Sequence, residues 1–81
     1  MARLPQVSGR DVIGLLESLG YFVVRRSGSH VQLRTLIASG QHNVTVLDHR
    51  VVAKGTLNDI LAAVGIRNGI AKQDLIERLR G

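Results

Sequence analysis

The sequence predicts a single α+β domain over residues 1–81, in the order α-β-β-β-α with one further short helix after it. Three observations carry that reading. A helical-period apolar stripe lies between a capping serine and a stopping glycine near the start of the chain. Three short β-forming segments then follow, separated by Gly/Ser turns, and two more helical stripes close the chain. The composition suits one core: 44% of the 81 residues are hydrophobic and 21% charged, enough for one compact domain and too few residues for two.

The elements follow in order. Ser8 is placed to cap the first helix, with Asp11 three residues on in the capping-box position. Val12, Ile13, Leu15, Leu16 and Leu19 keep helical spacing, and Gly20 supplies the stop. Tyr21-Phe22-Val23-Val24 begins a strand that ends in Arg25-Arg26, and Ser27-Gly28-Ser29 is the turn after it. A second strand runs from His30 to Arg34 or slightly beyond. Ala38-Ser39-Gly40 turns the chain again, and Gln41 to Leu47 forms a third strand with Val44 and Val46 on one face. Thr56 is the expected N-cap of the next helix, with Asp59 as its helix-start acid. That helix buries Leu57, Ile60, Leu61 and Val64 and is expected to stop at Gly65. After Asn68-Gly69 a last short helix carries Ile70, Leu75, Ile76 and Leu79.

Short loops make an antiparallel meander the economical topology, with helices on one sheet face and the other face open. If Val31 and Leu33 point to the helices, pleat alternation sends His30, Gln32 and Arg34 to the open face in one row.

The charge pattern narrows the partners. Eleven Lys and Arg against six Asp and Glu give +5, and nine of the eleven are arginine, whose planar fork suits phosphate oxygens. Such a surface favours nucleic acid, although charge alone also serves solubility. The absence of cysteine excludes disulfides and thiolate metal sites. The apolar runs near Leu15 and Leu61 are too brief to span a bilayer, and Met1-Ala2-Arg3-Leu4-Pro5 has no signal-peptide core. A cytoplasmic protein with no membrane partner is expected. The three histidines show no ligand spacing and the acids are scattered, so neither a metal nor another cofactor is expected.

Gly28-Ser29-His30-Val31-Gln32 is the constellation with chemical potential. Glycine lets backbone approach an anion, the turn offers N–H groups, and a histidine opening an exposed strand exchanges a proton near neutral pH. RNA cleavage needs a base for the 2′-OH, cations for the charged phosphorane, and an acid for the leaving oxygen. Arg25, Arg26 and Arg34 are the candidates for the cationic part. On these residues alone, a solvent-exposed hairpin histidine without function is the favoured reading.

The stretch Gly20-Tyr21, Arg25 and Gly28-Ser29-His30-Val31-Gln32-Leu33 resembles the signature of the HicA family of mRNA interferase toxins. So does Val44-Thr45-Val46, followed by His49 and by Gly55-Thr56-Leu57-Asn58-Asp59-Ile60-Leu61 and Gly65-Ile66. The resemblance implies a double-stranded-RNA-binding-like fold and metal-independent, sequence-tolerant cleavage of mRNA. It makes His30 the catalytic residue, presented by Gly28 and Ser29; from the turn, the outward row and the charge, Gly28, Ser29, Gln32, Arg25, Arg26 and Arg34 are expected to bind substrate. It also implies a HicB-type antitoxin that masks the active site. The chain departs from the pattern at Leu33, where an aromatic is frequent, at Leu47, where proline is, and in a longer segment beyond Gly69. His49 stands where a second family histidine is common, either as the general acid or as a loop residue, and His42 is expected to be exposed and uninvolved. Two other readings remain: a non-catalytic RNA-binding module on the same fold, and a helix-turn-helix DNA reader over Thr56 to Leu79.

Overall fold

Ser8 caps the first helix as its place in the sequence requires. In the computed structural model, which describes residues 4–37 and 40–80, the Ser8 hydroxyl accepts the Asp11 N–H at 3.1 Å. The Asp11 carboxylate accepts the Ser8 N–H at 3.0 Å in return. This reciprocal box opens α1 (Gly9–Ser18). The helix closes in a Schellman arrangement around Gly20, with Tyr21 N–H on Leu16 O and Gly20 N–H on Glu17 O.

Three strands follow: β1 (Phe22–Ser27), β2 (His30–Ile37) and β3 (Gly40–Leu47). They form one antiparallel sheet in the order β1-β2-β3, so the strand that begins at His30 is central. The second turn was expected at Ala38-Ser39-Gly40; residues 38–39 lie outside the described residues, and Gly40 already belongs to β3. The helical layer is completed by α2 (Lys54–Asn68) and α3 (Lys72–Arg80). The architecture is therefore α-β-β-β-α with an added C-terminal helix, as the sequence pattern predicts.

Between the layers lies an aliphatic core. Val31 and Leu33 of β2 and Val46 of β3 are fully buried, facing Val12 and Leu16 of α1, Leu57, Leu61 and Val64 of α2, and Leu75 of α3. Pleat alternation then turns the intervening residues of β2 away from the helices. Burying one such side chain is worth about 1.5–3 kcal/mol, so this alternation fixes the register and, with it, the outward row.

Two expectations about α2 need correction. The helix does not begin at Thr56. Val52 is buried and its N–H is held by Val7 O at 2.8 Å, so the chain turns into the helix at once. Ala53 becomes the N-cap without a side-chain bond, and Leu57 N–H bonds Ala53 O. Thr56 and Asp59 therefore stand inside the helix, and Asp59 is not a helix-start acid. Nor does Gly65 end it. Gly65 is buried, and an added Cβ would meet Ile70 O at 2.6 Å, so its lack of a side chain serves the close return of the chain toward α3. The helix continues to Asn68, and Gly69, at φ +65°, is the left-handed cap. Two helices joined by a short turn do cover Thr56 to Leu79, with the break at residues 69–71 rather than at Gly65.

Candidate functional site

The tight turn between β1 and β2 sets the position of His30. Ser27 pairs with His30 across a two-residue loop, Gly28-Ser29. Gly28 adopts φ +58°, a conformation that such short hairpins require and that side chains disfavour. The turn does not hang free: Ser29 O accepts the Asp48 N–H at 2.7 Å, which ties it to the end of β3. His30 also pairs with Leu47 of β3, so its backbone is held on both sides while its side chain is exposed. Among the described residues, no side chain hydrogen-bonds the His30 ring.

The rest of the outward face follows from register. Gln32 lies between Arg25 and Thr45, and Arg34 between Phe22 and Asn43. Arg25, Ser27, His30, Gln32 and Thr45 line one hollow of about 240 Å³. This is room for a phosphate and a ribose rather than for a large cofactor. Arg34 lies beyond its rim, with its Nε donating to Asn43 Oδ1 at 2.9 Å, which orients the guanidinium along the face. Of the residues expected from sequence, the structure thus brings Arg25, His30 and Gln32 together, with Gly28 and Ser29 forming the turn beside them and Arg34 further along the same row.

Arg26 is placed differently. It pairs with Val31, a residue of the helix-facing set, and its Nη1 donates to Asp48 Oδ2 at 3.0 Å. His49 is exposed in the loop after β3, where it lines a separate hollow with Ser8, Arg10, Asp48 and Arg50. The reading of His49 as a loop residue fits this position. Among the described residues no cluster of three or more His, Cys, Asp or Glu is arranged to hold a metal ion.

His42 is neither fully exposed nor uninvolved, and the expectation for it is corrected. It lies opposite the buried Thr35 on the helix-facing side, half-buried, with its Nδ1 2.6 Å from the Tyr21 hydroxyl. The Asn68 side chain donates to that same hydroxyl at 3.0 Å and to Val64 O at 2.8 Å. The Tyr21 hydroxyl thus accepts from Asn68 and shares a second hydrogen bond with His42 Nδ1. Burial, and secondarily the positive charge of Arg67, lower the His42 pKa below 6.5. This histidine is a structural partner joining β3 to the end of α2.

A match to a protein-family model decides the relationship. Residues 9–66 match the model described as the HicA toxin of bacterial toxin-antitoxin systems. The chain belongs to the HicA toxin family. The matched stretch takes in α1, all three strands and most of α2, so every residue of the His30 hollow lies within it. No curated protein and no solved structure matches the chain. This HicA-family chain is thus a toxin of a toxin–antitoxin system, and among the described residues no helix is long and apolar enough to cross a membrane.

Sequence reasoning missed Ser27, Thr45 and Asn43 on this face of the toxin. Thr45 and Asn43 carried a signal, because they alternate with the buried Val44 and Val46. Their alignment with Gln32 and Arg34 needs the register, which no local pattern supplies.

Proposed function

We propose that this HicA-family toxin is an endoribonuclease that cleaves mRNA without a metal, with His30 as the general acid–base. The observation that carries the reading is the single hollow in which one exposed imidazole meets the Arg25 guanidinium and the polar side chains of Ser27, Gln32 and Thr45. In the proposed reaction His30 takes the proton of a ribose 2′-OH, and the resulting oxygen attacks the adjacent phosphorus. Negative charge grows on the phosphoryl oxygens, where Arg25 stabilises it and Ser27, Gln32 and Thr45 offer hydrogen bonds. The bond to the 5′-oxygen breaks, and that oxygen is protonated as it leaves, either by the imidazolium or by water. The Gly28-Ser29 turn fixes where the ring stands, and Arg34 extends the cationic track for the flanking phosphates.

The same face is the proposed docking surface of a HicB-type antitoxin. A net charge of +5 favours an acidic partner, whose association is fast and salt-sensitive, and covering the hollow would hold the enzyme inactive. The test compares purified parent and His30→Ala on RNA in the presence of a chelator. Cleavage by the parent and none by a folded His30→Ala supports the reading. Equal cleavage by both removes His30 from the mechanism. Tight RNA binding by the parent with no turnover makes the domain a non-catalytic RNA-binding module instead.

A further inference from the structure

The open sheet face carries one aromatic side chain, and a bulge is what puts it there. Along a regular strand, Phe22 and Arg25 lie three residues apart and point to opposite faces. In β1 the register shifts by one residue between Val23 and Arg25, so that Val24 is the extra residue. Phe22 then opposes Arg34, while Arg25 opposes Gln32, and both share the face of His30. Phe22 is 45% exposed, whereas the chain's other aromatic, Tyr21, is buried. Leu36, 70% exposed, lies two residues beyond Arg34 and widens the apolar area on this face. A ring left in water forgoes the gain of burial, and bulges that redirect a side chain are over-represented beside functional sites.

The surroundings of Phe22 name its occupant. Arg25 follows it along β1 toward the hollow, and Arg34 lies directly across from it, held by Asn43. An exposed ring with two arginines as neighbours on the same face matches an unpaired nucleotide, whose base stacks while its phosphates meet the arginines. The spacing agrees. Arg34 lies four residue steps beyond His30 on β2, about 13 Å at strand rise, or roughly two nucleotides of an extended chain.

We infer that Phe22 is a stacking seat for an unpaired nucleobase, roughly two nucleotides from the phosphate held beside His30. The inference rests on the RNA-cleavage reading and adds to it a substrate class: single-stranded RNA, gripped by a base outside the reacting hollow. Phe22 positions substrate and takes no part in proton transfer. Because stacking tolerates every base, the seat adds affinity with little sequence preference.

The chain has no tryptophan, so Phe22→Trp creates a single fluorescent reporter at the seat. Titrated with a 2′-O-methyl oligonucleotide, which lacks the attacking hydroxyl, the reporter is expected to show saturable quenching. A strand of the same length made of abasic residues should bind at least about 5-fold more weakly and leave the fluorescence unchanged. In steady-state cleavage of single-stranded RNA, Phe22→Leu should raise KM by about 5-fold or more with kcat within about twofold, and Phe22→Tyr should restore the parent KM. A parent-like KM in Phe22→Leu, with the parent cleaving RNA, overturns the seat and leaves the nuclease reading standing. Weakened antitoxin binding in Phe22→Leu with an unchanged KM also overturns it, assigning this area to the protein partner. A parent that neither binds nor cleaves RNA overturns both.

Discussion

The sheet presents one histidine on each face, and the two have opposite surroundings. His42, on the helix side, is half-buried and shares a hydrogen bond with Tyr21, and burial and the charge of Arg67 favour its neutral form. His30, on the open side, has its backbone fixed between Ser27 and Leu47 and its ring left exposed. In one case the fold spends the imidazole within its own hydrogen bonds. In the other it fixes the main chain and leaves the imidazole available to something else. Backbone held firmly with a side chain unspent is what a reacting group requires.

The largest expected effect tests that contrast directly. His30→Ala should lower the RNA-cleavage rate by about 10²–10⁴-fold while leaving the melting temperature nearly unchanged, because the ring contributes no internal contact. A comparable fall in thermal stability would show that His30, like His42, serves the fold.

A substitution three residues along the same strand should do the reverse. Leu33 alternates with Gln32, is fully buried, and sits at the centre of the helix-facing side. Leu33→Ala should cost about 2–5 kcal/mol, a large share of what a domain this size possesses, measured by urea unfolding. Activity per folded molecule should stay near that of the parent, since the outward row is untouched.

The Tyr21–His42–Asn68 hydrogen bonds give a smaller effect. Tyr21→Phe keeps the ring and removes the hydroxyl, leaving His42 Nδ1 without its partner and Asn68 with one acceptor fewer. A loss of about 0.5–1.5 kcal/mol is expected. The pH dependence has a definite sign. The folded pKa of His42 is lowered, so the unfolded chain binds the proton more readily and stability rises with pH through the window. The contribution is complete above 6.5 and is lost as pH falls through the lowered folded pKa. Thermal melts from pH 7.5 to 4.5 should therefore show an acid-side decline in the parent that is shallower in His42→Gln. Parallel declines would mean that other groups carry it.

These cases also show how far the residues alone reach. The α1 caps were legible because the Ser8–Asp11 box and the Gly20 stop are made within a few residues. The outward row of β2 was legible because Val31 and Leu33 impose a period of two. The role of His42 was not, since its partnership joins residues 21 apart and reaches Asn68, 47 from Tyr21. The start of α2 was misplaced for the same reason: Val7 holds Val52 and thereby sets the entry, overriding the favourable cap chemistry of Thr56. The bulge at Val24 lies beyond any alternation rule, because one inserted residue reverses the face of everything before it.

Arg25 and Arg26 make the finest comparison, two identical side chains that the sequence cannot tell apart. Register puts Arg25 beside Gln32 in the His30 hollow, while Arg26 lies opposite Val31 and pairs with Asp48. If Arg25 meets a phosphate, Arg25→Gln should raise the KM for RNA and reduce the slope of log affinity against log salt by about 0.7 for a single strand. Arg26→Gln should leave that slope nearly unchanged. It breaks an ion pair at the surface, and such pairs are worth about 0–1 kcal/mol after solvent screening, so its effect on unfolding should be slight. Equal slopes for the two variants would mean that RNA reaches around the β1 edge to both faces. The hollow on the open face would then be only part of the contact, and Arg26 would have to exchange Asp48 for phosphate on binding.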